Sequence, residues 1–123
     1  MHKEVSDYLL EKYEQNWSAE AHQAVEEGKA TGDQSYIATI RLNNEFVRNA
    51  FIAEGEEGVN YLSDVLNNGH ISCRERAAAI LGEIGDKVDV TPTVSEILTQ
   101  RAEKESEGCV SRRIQHSLEK LAC

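Results

Sequence analysis

The sequence predicts an all-α protein: a short right-handed stack of antiparallel helical hairpins with about seven helices. Three observations predict it. Apolar residues recur at helical spacing along nearly the whole chain. Glycines fall between those stripes, where helix ends favour a residue that tolerates positive φ. The signature of strands is missing. Pro occurs once, aromatics are 6% of the 123 residues, and no alternating β-branched run exceeds about four positions.

Taken in order, Val5, Leu9 and Tyr13 lie four apart, with Tyr8 and Leu10 beside them, and predict the first helix. Ala21 and Val25 repeat the spacing more weakly and predict a second. Tyr36, Ile40, Val47 and Phe51 predict a third, with Asp33 as its cap. Asn43 and Asn44 interrupt that apolar face, so the segment reads either as two helices or as one with a polar notch. Val59, Leu62, Val65 and Leu66 form the fourth stripe; Ala77, Ile80, Leu81 and Ile84 form the fifth. Val94, Ile97 and Leu98 make the sixth, with Thr91 as cap and Pro92 at the first helical position. Val110, Ile114, Leu118 and Leu121 close the chain. Trp17, near Tyr13 in KYEQNWS, reads as a staple holding the first helix to the second or as an exposed aromatic anchor.

An internal repeat lies in the second half. At a shift of 37 residues, Cys73 falls on Val110, Arg76 on Arg113, Ala77 on Ile114, Leu81 on Leu118 and Ile84 on Leu121. At a shift of 35, Val59 falls on Val94 and Leu62 on Ile97. The difference of two fits loops of unequal length. A two-helix unit is therefore repeated about twice, each copy leaving an apolar face for its neighbour to cover. The segment CRERAAAILGEIGD, residues 73–86, resembles the second helix of the short HEAT-like repeats named after phycobilisome lyases. Arg74, Ala77, Ala78, Leu81, Gly82, Ile84, Gly85 and Asp86 carry the resemblance. In the second unit Ser111 replaces the Arg and Glu119 the Gly, as in an atypical terminal repeat. The length suits a single domain, 1–123, and the resemblance implies that 55–123 forms two HEAT-like hairpins, with 1–54 a divergent helical half. It implies that Gly82 permits close helix approach and that Gly85 ends a helix. It implies no activity, because this architecture hosts many.

Charge bounds the partners. Twenty-two acids and thirteen bases give a net charge of -9, which argues against direct nucleic-acid binding, since neutralising phosphates takes clustered Lys and Arg. Residues 1–70 carry thirteen acids and five bases; residues 71–123 carry nine and eight. Glu54, Glu56 and Glu57 cluster before the fourth helix. They read as favourable charge at a helix N-terminus or as an acidic rim that attracts a basic protein. Arg74, Arg76, Arg112 and Arg113 read as surface or inter-helix partners of Glu75, Glu83 and Glu119.

Nothing in the sequence points to bond chemistry or to a cofactor. No Gly-x-Gly-x-x-Gly or phosphate-loop pattern occurs. His2, His22, His70 and His116 lack metal-ligand spacing. Cys73, Cys109 and Cys123 form no Cys-x-x-Cys pair, and reduced thiols of a cytoplasmic protein are the simpler reading. Cys73, at a small apolar position, reads as a core thiol. No run of eighteen apolar residues and no secretory pattern at the N-terminus is found, so neither a membrane nor export is expected.

Small size, acidity and the lack of a catalytic set resemble, by type, bacterial immunity proteins that neutralise nuclease toxins, including those of contact-dependent growth inhibition systems. That resemblance implies a non-enzymatic inhibitor of a basic nuclease toxin domain, acting by occlusion and charge steering. The expected contact residues are Glu54, Glu56, Glu57 and Asp64, with Glu83, Asp86 and Asp89 on the adjoining repeat edge. A generic HEAT-like adaptor, or an enzyme-associated subunit of the bilin-lyase kind, is the alternative.

Overall fold

The computed structural model describes residues 2–13 and 34–122. Among the described residues it is all-helical: six α-helices and no strand. They are α1 (Lys3–Lys12), α2 (Gln34–Glu54), α3 (Glu56–Asn68), α4 (Ile71–Ile84), α5 (Val94–Ala102) and α6 (Gly108–Ala122). The expected helix around Ala21 and Val25, the Asp33 cap and Trp17 lie outside the described residues. None of the described helices is long and apolar enough to cross a membrane.

In α1 the inward face is Ser6, Leu9 and Leu10, continued by Tyr13. This corrects the expected Val5–Leu9–Tyr13 stripe: Val5 is 47% and Tyr8 57% exposed. At 3.6 residues per turn, burying Leu9 and Leu10 together leaves Val5 roughly 90° and Tyr8 roughly 150° off the buried face. Tyr8 instead lies under the Lys12 ammonium, 5.2 Å from its ring centroid, a cation–π contact.

Helix α2 runs unbroken through Asn43 and Asn44, which settles the choice between one helix and two. Asn43 is exposed and Asn44 half-buried, so neither carboxamide is forced into the core. Among the α2 residues with described side chains, Val47 and Phe51 are buried. It ends on Gly55, whose φ of +60° is the one positive value among the described residues. The Gly55 N–H donates to the Phe51 and Ile52 carbonyls at 3.2 and 3.1 Å, and its own carbonyl accepts from Val59 N–H at 3.1 Å. One residue thus closes α2 and opens α3, in a conformation that a Cβ disfavours. Gly55→Ala is expected to cost about 1–2 kcal/mol, read as a lower urea midpoint at unchanged slope.

Helix α4, the RERAAAILGEIG segment, is the hub. Ala77 to Gly82 and Ile84 are all buried, and α4 touches each of the other five described helices. Its broadest contact is with α6. Small residues permit that approach: a Cβ on Gly82 would fall 2.3 Å from Ser117 Oγ and 2.9 Å from its Cα. Ser117, buried, donates its hydroxyl to the Ala78 carbonyl at 2.8 Å, which satisfies a polar group the interface has dried out. Gly85 caps α4 at its C-terminus, donating its N–H to the Leu81 carbonyl at 2.9 Å.

The repeat register predicts which residues go inside. Val59 and Val94, Leu62 and Ile97, and Ala77 and Ile114 are buried at both members of each pair. Cys73, Leu118 and Leu121 pack against the same core half-buried, opposite fully buried Val110, Leu81 and Ile84. The cap of α5 corrects an expectation. Thr93, not Thr91, is the N-cap: its Oγ1 accepts from Glu96 N–H at 3.3 Å and donates to Glu96 Oε1 at 3.1 Å. Thr93-x-x-Glu96 forms the capping pair, whereas Thr91 has Val94 three residues on and no such partner.

The loop after α5 carries a buried charge network. The Glu105 side chain is fully covered, 3.0 Å from Arg101 and 3.3 Å from Arg74, themselves 13% and 16% exposed. Glu107 N–H donates to it at 3.0 Å, and Arg101 Nη1 donates to the Asn67 carbonyl at 3.4 Å. Arg74 Nε is buried without a hydrogen-bond partner. The network ties α3 and α4 to the loop joining α5 and α6. It also corrects the expected partners of two arginines: Arg74 pairs with Glu105, and Arg76 Nε donates to the Tyr13 carbonyl at 3.2 Å.

Candidate protein-binding groove

Helices α1 and α3 touch, and Tyr61 on α3 bridges them. Its ring stacks on Phe51 at 6.0 Å between centroids and 11° between planes. Its hydroxyl donates to Asp7 Oδ1 on α1, and Asp7 also pairs with Lys3 Nζ at 3.6 Å. Burial raises the Tyr61 pKa, and the Asp7 hydrogen bond and charge raise it further. The hydroxyl therefore stays protonated and keeps donating.

Two adjoining hollows share Lys3, Tyr61 and Asp64. The first, about 240 Å³, adds Ser6, Glu54, Glu57 and Gly58. The second, about 320 Å³, adds an apolar floor of Leu10, Val65 and Cys73 and a polar end of Asn68 and His70, with Asp7. Together they form one groove with an acidic side and an apolar side. Glu57, Tyr61 and Asp64 share a face of α3 because they sit four and three residues apart. Glu54 reaches the same hollow because Gly55 turns the chain at once from α2 into α3. Among the described residues, four carboxylates, Asp7, Glu54, Glu57 and Asp64, and one ammonium, Lys3, line the groove.

The structure gathers three of the seven expected contact residues here: Glu54, Glu57 and Asp64. Glu56 is exposed in the first turn of α3 and lines neither hollow. Glu83 and Asp86 line a separate hollow beside Arg48, Lys87 and Lys120. Glu83 pairs there with Arg48 at 3.8 Å and with Lys120, rather than with the repeat-helix arginines. Asp89 is exposed and joins neither group. Asp7 and Tyr61 were missed. Their partnership spans 54 residues of sequence, and no local pattern announces it.

Cys73 is half-buried at the edge of the core and on the groove floor, so it is less enclosed than a core thiol. Among the described residues no three of His, Cys, Asp and Glu are grouped so as to hold a metal ion. Compared with known proteins, the chain matches no family model, no curated protein and no solved structure.

Proposed function

We propose that this chain is an acidic binding protein that inhibits a basic protein by laying the α1–α3 groove across it, without chemistry of its own. The observation that carries the reading is the composition of the groove among the described residues: four carboxylates and one ammonium around an aromatic ring held by stacking and a hydrogen bond. The acidic side steers a cationic partner and sets its orientation. Tyr61 and the apolar floor supply the desolvated contact that slows dissociation. The target that fits is a nuclease toxin domain, whose substrate demands a basic active site. The protein then acts as an immunity protein of the contact-dependent inhibition type, in the cytoplasm, where its thiols stay reduced.

The same proposal takes the fold as a short HEAT-like solenoid. Equivalent positions of the α3–α4 and α5–α6 hairpins share one core, and the second helix of each hairpin packs on that of the other.

Capture at low salt tests the function. The protein is expected to retain a basic nuclease at 1:1 stoichiometry and to suppress its activity. The triple variant Glu54→Lys, Glu57→Lys, Asp64→Lys is expected to lose both. Recovery of acidic partners only, or equal capture by the variant, overturns the reading and leaves Glu57 as a favourable charge in the first turn of α3.

A further inference from the structure

Helix α6 carries a cationic hollow that the proposed groove does not use. It measures about 330 Å³ and is lined by Arg112, Arg113, His116 and Cys109 of α6 and by Glu75 of α4. Cys109, Arg112, Arg113 and His116 follow the i, i+3, i+4, i+7 spacing of one helix side, with the consecutive Arg112 and Arg113 about 100° apart around the axis. Arg113 and Glu75 are half-buried; Arg112 and His116 are exposed. The other basic residues with described side chains largely find acids or carbonyls. Arg48 pairs with Glu45 and Glu83, Arg74 and Arg101 with Glu105, Lys120 with Glu83, and Lys3 with Asp7. Arg112 and Arg113 make no ion pair or hydrogen bond among the described residues. In a chain with 22 acids and 13 bases, two adjacent guanidiniums in one hollow with no ion-pair partner among the described residues are a local inversion of the overall charge.

We infer that this hollow is a binding site for a single small oxyanion of the phosphate class, held between Arg112 and Arg113 with His116 at its edge. Guanidinium groups offer forked N–H donors that match phosphate oxygens. Size and field both favour a small free anion over a nucleic acid. A lone phosphate interacts mainly with charges within about 8 Å, the screening length at physiological salt. A polyanion would extend beyond the two arginines along a chain whose net charge is -9 and be repelled. Glu75 sets the strength of the site: its charge opposes the anion and keeps the affinity modest. The inference is independent of the α1–α3 groove and stands if that reading fails.

Titration of the full chain with inorganic phosphate at constant ionic strength, followed by ¹⁵N nuclear magnetic resonance, tests it. Saturable shifts are expected at Arg112, Arg113 and His116. Arg112→Gln, Arg113→Gln in one chain is expected to weaken binding about tenfold, and Glu75→Gln to tighten it about threefold. Arg112 is exposed and Arg113 and Glu75 are half-buried, so these changes are tolerated, and circular dichroism checks the fold. Shifts that grow linearly without saturating, or an affinity unchanged in the double variant, overturn the proposal. So does a single-stranded RNA that binds the same arginines more tightly than phosphate.

Discussion

Glu105→Ala is expected to cost about 3 kcal/mol, because it leaves Arg74 and Arg101 buried without their shared carboxylate. The loss comes from stranded cations. Arg74 Nε already lacks a partner, and removing Glu105 deprives its Nη2 of one as well. The effect depends on pH. Burial of Glu105 pushes its pKa up, but Glu107 N–H and the two arginines outweigh this and bring it below the ordinary 4.5. A carboxyl with a lowered folded-state pKa stabilises fully above its unfolded value and loses that contribution as pH falls through the folded one. The gap in urea midpoint between the native chain and Glu105→Gln should therefore be widest near neutrality and close progressively below about pH 4.5. A gap that stays constant down to pH 2 would show that the carboxylate charge contributes nothing.

Gly82→Ala is the second large effect. In an isolated helix Ala would gain about 1 kcal/mol over Gly. Here the new methyl meets Ser117 Cβ at 2.5 Å and its Cα at 2.9 Å, so α4 and α6 must move apart across their broadest contact. Overpacking of this kind costs about 1–3 kcal/mol, and separation also strains the Ser117 bond to the Ala78 carbonyl. A net loss of about 2 kcal/mol is expected in the urea midpoint. Gly82→Ala with Ser117→Gly should recover part of it, since that removes the Cβ and Oγ but not the Cα. A stabilised single variant would mean that the helices are not in close contact.

Most of the helical pattern was legible because apolar spacing and glycine punctuation are local signals. The α4 segment and the helical stripes placed most core residues correctly from Val59 to Ile114, although Val65 and Cys73 are only half-buried. Local reading failed where two local signals competed. In α1 the two overlapping i, i+4 pairs Val5–Leu9 and Leu9–Tyr13 competed with Leu10, and only burial of both Leu9 and Leu10 selects the face. At α5 the Thr91-Pro92 signal stood against Thr93-x-x-Glu96, and the pair that satisfies an N–H won. Charge was read less well than apolarity. Salt-bridge partners such as Glu105 with Arg74, and Glu83 with Arg48, lie 31 and 35 residues apart, so proximity in sequence misassigned them. The acidic groove was half legible. Glu54, Glu57 and Asp64 fall on one side by helical phase, while Asp7 and Tyr61 join them only through tertiary packing.

The central claim is that negative charge in the α1–α3 groove drives recognition of a basic partner. Its most direct measurement is the association rate of the captured partner as a function of ionic strength, for the native chain and for Glu57→Lys, Asp64→Lys. The native rate should fall steeply with added salt, and the variant should associate about tenfold more slowly at low salt with a flatter dependence. Equal rates and equal salt slopes for the two chains would contradict the account.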